Sequence, residues 1–115
     1  MEHLTSLKRL AVLGFEKLQS IPGLGHLTNT IELDVSGCKE IQELPGVEYL
    51  TSLGLLNVSV CQKLKSITGL RKLTKLSEVD ISGCLEKQEL PRVDLTSLER
   101  LVVRGCKKLQ SIPGL

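Results

Sequence analysis

Residues 95–115 read LTSLERLVVRGCKKLQSIPGL, and residues 4–24 read LTSLKRLAVLGFEKLQSIPGL, nearly the same string at the other end of the chain. Weaker copies begin at Leu27, Leu50 and Leu73. A fixed period of about 20–50 residues specifies a stacked architecture in which each unit packs only on its neighbours. Starting each unit at the Leu of its Leu-Thr pair divides the chain into coils 4–26, 27–49, 50–72, 73–94 and 95–115, with a single deletion near Asp94 in the fourth.

The columns of this alignment define the core. Four apolar columns come first: Leu4/Leu27/Leu50/Leu73/Leu95, Leu7/Thr30/Leu53/Leu76/Leu98, Leu10/Leu33/Leu56/Val79/Leu101 and Val12/Val35/Val58/Ile81/Val103. Four more follow: Phe15/Cys38/Cys61/Cys84/Cys106, Leu18/Ile41/Leu64/Lys87/Leu109, Ile21/Leu44/Ile67/Leu90/Ile112 and Leu24/Val47/Leu70/Val93/Leu115. All eight are expected to point inward. One coil buries too little apolar surface to offset the ordering of its own backbone, so stacking is obligatory.

Strict alternation around the third and fourth columns, as in Arg100-Leu101-Val102-Val103-Arg104, is the period of a strand with one buried face. Each coil should contribute one short strand, and coils running the same way stack their strands in parallel. The far side of each coil carries Pro22-Gly23, Pro45-Gly46, Thr68-Gly69, Pro91-Arg92 or Pro113-Gly114, which favours turns or short helical pieces over long helices. The expected fold is one α/β solenoid domain of about five 23-residue coils. Its parallel β-sheet should line the concave face, with the turns on the longer, convex side.

The pattern LxxLxVxGCxxLxSIPGL resembles leucine-rich repeats over nearly the whole chain, from Leu4 to Leu115. Its SGC and LPGL wording is similar to that of plant intracellular nucleotide-binding immune receptors, in particular those with a Toll/interleukin-receptor-like domain. That resemblance implies a cytoplasmic, non-enzymatic recognition and regulatory module. Its implied partner is a protein, either a pathogen effector or neighbouring domains of the same receptor. Other readings are a structural repeat segment or gene remnant without its own partner, and an extracellular receptor repeat. No nucleotide-binding loop of the P-loop type is present in the sequence.

Composition narrows the partner. Fifteen basic and thirteen acidic residues leave a net charge of +2, too small and too evenly mixed for a nucleic-acid or anionic-membrane surface. No apolar run is long enough to span a bilayer, and Met1-Glu2-His3 leads into a repeat rather than a signal core.

Four cysteines in a short chain can mean disulfides or a metal site, but metal-binding pairs come about two to four residues apart. Cys38, Cys61, Cys84 and Cys106 recur once per coil instead. That spacing makes a ladder of free, structural thiols, and such thiols favour a reducing compartment. No cofactor is expected, and no catalytic group: His3 and His26 stand away from the cysteine column, and the carboxylate pairs Glu32/Asp34 and Glu78/Asp80 belong to a strand face. Asn57-Val58-Ser59 is a sequon placed inside a strand.

The outward strand positions carry the functional expectation. They are Arg9, Glu32, Asp34, Leu55, Asn57, Glu78, Asp80, Arg100, Val102 and Arg104, acidic and polar at the centre and basic at the ends. Ala11, Leu13, Ser36, Ser59 and Ser82 complete the same rows. Such patterning gives a protein partner orientation and rate.

Two further expectations concern irregularities. Lys87 interrupts an aliphatic column, so coil four should bulge to let the ammonium reach water, with Leu85 turning in, and Lys87→Leu should raise stability in a denaturant titration. The first and last coils present apolar residues without polar caps, so the segment is expected to belong inside a longer array and, alone, to associate end to end or fold poorly.

Overall fold

In coils two to four a three-residue strand puts one side chain into the core and two onto the opposite face. The computed structural model describes residues 6–64, 67, 70–83 and 100–102. Its strands are β1 (Arg9–Ala11), β2 (Glu32–Asp34), β3 (Leu55–Asn57), β4 (Glu78–Asp80) and β5 (Arg100–Val102). They form one five-stranded sheet in the order β1-β2-β3-β4-β5, and every pairing is parallel. The register matches the repeat: Leu10 lies opposite Leu33, Leu33 opposite Leu56, and Leu56 opposite Val79. Val79 then lies opposite Leu101, so the sheet absorbs the one-residue deletion without losing register. The coils stack as a solenoid, with the parallel sheet running from one coil to the next.

The core follows the predicted columns. Leu33, Leu56, Val35, Val58 and Ile81 are completely buried, as are Leu27, Leu50 and Leu53. Thr30, the polar member of the second column, is also fully buried, and its Oγ1 donates to the Leu7 carbonyl at 3.4 Å. A polar side chain is tolerated there because it has a backbone acceptor in the coil below.

Between the sheet and the next coil the described residues make three one-turn 3₁₀ helices, Leu24–His26, Val47–Tyr49 and Leu70–Lys72. The first two start from left-handed glycines, Gly23 at φ 78° and Gly46 at φ 96°, which only a residue without Cβ adopts readily. These are the short helical pieces that the Pro-Gly pairs predicted.

Phe15 corrects the sequence reading. It was expected to point inward in the cysteine column, yet it is 59% exposed. In coils two and three that column holds a thiol hydrogen-bonded to a backbone carbonyl one coil back, at 3.1 and 3.2 Å. A benzyl ring has no such donor, and no described coil lies beneath Phe15 to enclose it. Of the other apolar positions of the first coil, Leu7, Leu10, Val12 and Leu18 are half-buried against the core, whereas Ile21 and Leu24 are enclosed in it. Lys87, Leu85, the deletion near Asp94, and Cys84 and Cys106 lie outside the described residues.

One residue breaks a column that the sequence does display. Gly14, Gly37 and Gly83 are left-handed, at φ 68°, 77° and 75°, and Val60 occupies the equivalent place at φ 58°. The conformation is required because the amide here must reach the next coil: Gly14 N–H donates to Ser36 O, Gly37 to Ser59 O and Val60 to Ser82 O. A left-handed L-residue costs roughly 1–2 kcal/mol, and a β-branched one is the worst placed. Val60 is 42% exposed, so little packing is lost with its side chain. Val60→Gly should therefore raise stability by about 1 kcal/mol after the added freedom of the unfolded chain is subtracted. A lower urea midpoint for the variant would show that the valine makes a contact worth more than its strain.

Candidate functional site

The outward positions of the sheet come together as the alternation requires. Arg9 and Arg100 are exposed, whereas Glu32, Asp34, Leu55, Asn57, Glu78, Asp80 and Val102 are half-buried. The half-burial reflects a depression of about 200 Å³ on this face. Glu32 and Asp34 bound it on one side and Glu78 and Asp80 on the other, with Leu55, Leu56 and Asn57 between them and Arg9 at the margin. Val102 is on the last strand, outside the depression's lining, and Arg104 lies outside the described residues.

Two kinds of contact hold these side chains in place. Between neighbouring strands, Arg9 Nε lies 3.2 Å from Glu32 Oε2, and Arg100 Nη1 lies 3.8 Å from Glu78 Oε1. Both pairs are solvated, so each contributes only about 0–1 kcal/mol. Their larger effect is on charge: the outermost cations neutralise the nearest acids. Within each strand end, the side chain folds back on the following turn. Ser36 N–H donates to Asp34 Oδ1 at 3.0 Å, Ser59 N–H to Asn57 Oδ1 at 2.9 Å, and Ser82 N–H to Asp80 Oδ1 at 2.9 Å. These are Asx turns, and they end the strand after three residues.

The turns revise two sequence expectations. Ser36, Ser59 and Ser82 are not outward strand residues but stand in the turns just past the strands. Asp34, Asn57 and Asp80 also have a structural duty besides any contact with a partner. The signal was present as Asp34-Val35-Ser36, Asn57-Val58-Ser59 and Asp80-Ile81-Ser82. A short polar residue followed two places on by serine is an Asx-turn pattern, and its recurrence at the repeat period marks it as part of the coil.

Behind this face runs the thiol ladder. Cys38 Sγ donates to Val12 O at 3.1 Å and Cys61 Sγ to Val35 O at 3.2 Å. The amide of Cys38 donates to the same Val35 carbonyl at 3.3 Å, so that oxygen is doubly satisfied where the chain turns away from the sheet. Both cysteines are free and buried. Burial pushes the Cys61 thiol up from its ordinary 9.0 to about 11, because the thiolate would lose its hydration. Among the described residues no group of three or more His, Cys, Asp or Glu is placed to hold a metal.

A testable consequence follows for alkaline pH. The folded chain keeps the Cys61 proton up to about 11, whereas the unfolded chain releases it near 9.0. The native state thus binds more protons between those values, and stability should fall as pH rises through that window. Below pH 9 the contribution should be complete. Urea titrations at a series of pH values, for the parent and Cys61→Ala, should show a steeper alkaline loss in the parent. Equal slopes would contradict a buried, neutral thiol.

A second depression, of about 430 Å³, lies away from the sheet face between Gln19, Ser20, Glu40, Gln42, Glu43 and Pro45. It gathers none of the predicted residues. Lys63 Nζ lies 2.7 Å from Glu40 Oε2 nearby, another pair between successive coils. No described helix is long and apolar enough to cross a membrane.

No protein-family model matches the chain, and no curated protein matches it in sequence. Among solved structures, it is similar to internalin C2 of Listeria monocytogenes at 20% identity and a TM-score of 0.39, over 96% of this chain and 62% of that one. It is also similar to the functional domain of InlJ from the same organism, described as including a cysteine ladder, at 20% identity and a TM-score of 0.35 over 82% and 34% of the two chains. A third, an internalin (inlF) from that organism, gives 17% identity and a TM-score of 0.34 over 97% and 55%. The chain spans less than two thirds of the length of each. Likeness of this degree assigns neither family nor function, and the solenoid follows from the chain's own repeat and register.

Proposed function

We propose that the chain is a non-catalytic protein-recognition module whose partner surface is the outward, concave face of the five-stranded sheet. The observation that carries this is the depression at its centre, where the half-buried Leu55 lies between two pairs of carboxylates supplied by strands on either side. A half-buried apolar centre with a charged rim is the anatomy of a protein interface. The small volume of the site and its strand-borne carboxylates suit contact with a side chain of a protein surface.

The narrower reading places the module in a plant intracellular immune receptor, in the cytoplasm, contacting a pathogen effector or the receptor's own domains. Its support is the SGC and LPGL wording of the coils alone. Two free, buried thiols suit a reducing compartment.

A photo-crosslinking residue placed at Leu55, in the full chain expressed in cells of its source, tests the surface. A discrete protein adduct should form from position 55 and not from the same residue at Gln42, which is exposed at the other depression. Equal adducts from both positions, or adducts from Gln42 alone, would overturn the assignment.

A further inference from the structure

The outward side chains of the sheet form two rows across the strands, and the rows differ in how their charges are satisfied. In the row that begins with Arg9, both glutamates have a cation beside them. In the row that contains Asp34, Asn57 and Asp80, the two aspartates have no cationic partner among the described residues. Each spends Oδ1 on the backbone N–H two residues ahead. The turn fixes the carboxylate in place, so a ligand meeting it would not have to order it. Both carboxylates border the depression whose centre is Leu55.

Their spacing limits what can satisfy them. Asp34 and Asp80 stand on β2 and β4, two strand steps apart, which is about 10 Å at the backbone for a strand spacing of ~4.8 Å. One guanidinium cannot bond to both. A β-strand ligand presents same-side residues about 6.8 Å apart, or twice that, and neither matches. A polyproline-II segment presents every third residue on one side at about 9.3 Å, which does match.

Resting on the reading of this face as the partner surface, we infer that it seats an extended protein segment carrying two basic side chains three residues apart. One cation sits on Asp34 and the other on Asp80, and the residues between them face Asn57 and Leu55. The row also sets the register, because a ligand shifted by one strand would bring one cation to Asn57 and the other to Ala11 or Val102, none of which offers a carboxylate.

The chain contains its own control for the test. Asn57 occupies the aspartate column and makes the same turn at 2.9 Å. Asp34→Asn and Asp80→Asn should therefore remove charge and keep the fold, which a thermal melt checks. The probe is a labelled, end-blocked, proline-rich octapeptide with arginines at positions three and six and leucine between them, titrated into the full chain by fluorescence anisotropy. Binding should weaken by roughly tenfold or more in the double variant, and should fall as salt rises from about 50 to about 300 mM. Peptides with adjacent or alternate arginines should bind several-fold more weakly. No binding of the spaced peptide, binding indifferent to the double variant, or equal binding of the adjacent-arginine peptide would each overturn the inference. The Leu55 crosslink separates the two readings. If its adduct survives Asp34→Asn/Asp80→Asn, the face remains a partner surface and the dibasic inference falls. If no specific adduct forms from position 55, the surface assignment falls with it.

Discussion

Gly46→Ala is expected to destabilise the protein by about 3 kcal/mol or more, lowering the melting temperature by at least about 10 °C. Two costs coincide at this position. The backbone is left-handed at φ 96°, which an L-residue pays roughly 1–2 kcal/mol to adopt. In addition, a Cβ built there meets Gly25 N at 2.7 Å and Gly25 Cα at 3.1 Å, backbone atoms of the neighbouring coil that cannot swing aside. The two short helices Leu24–His26 and Val47–Tyr49 approach this closely only because both glycines lack side chains, and the added methyl must push the coils apart. Gly14 separates the two costs. It is left-handed at φ 68° with nothing within 4 Å of its Cβ position, so Gly14→Ala should show the conformational cost alone. Equal losses for the two variants in parallel melts would mean that the coils are not packed backbone to backbone at Gly46.

The legible part of this fold is the part that repeats. Alternation around Leu33, Leu56 and Val79 located the strands, the column alignment predicted their register, and the deletion before coil five appeared as an unbroken Val79–Leu101 pairing. Phe15 was misplaced by the same method. A column records the kind of residue at a position, not the reason, and the reason in this column is a thiol small enough to donate to a carbonyl one coil back. Val60 marks a place where a column alone is silent. The glycine column was visible, but its meaning depends on a left-handed φ that aims an amide at the next coil, and the sequence does not print dihedral angles.

The candidate site divides in the same way. That Glu32, Asp34, Leu55, Asn57, Glu78 and Asp80 share the outward face was readable from period two, but the same period overran the strand ends at Ser36, Ser59 and Ser82. That Arg9 and Arg100 neutralise the glutamates, while Asp34 and Asp80 are held by their own turns, was not readable, because it depends on side-chain reach between strands. The face looked like an acidic centre with basic ends. It is better described as one neutralised row beside one row with open acceptors, and a partner would sense only the second.

Leu56→Ala should cost about 2–5 kcal/mol, the range for emptying a completely buried leucine site, and should do so as one cooperative loss across the sheet. Leu56 sits on the middle strand with Leu33 and Val79 opposite it on either side, so the cavity weakens two coil interfaces together. In a linear array stability is close to a sum of unit and nearest-neighbour contributions, and an interior defect therefore counts twice. Leu10→Ala removes the same atoms from the same column, but Leu10 is only half-buried and its described strand partner is Leu33 alone. It should cost less than half as much. Urea titrations followed by circular dichroism give both values on one scale. Comparable losses for the two variants would mean that the coils do not share stability through their neighbours, and the stacked account of this chain would have to be abandoned.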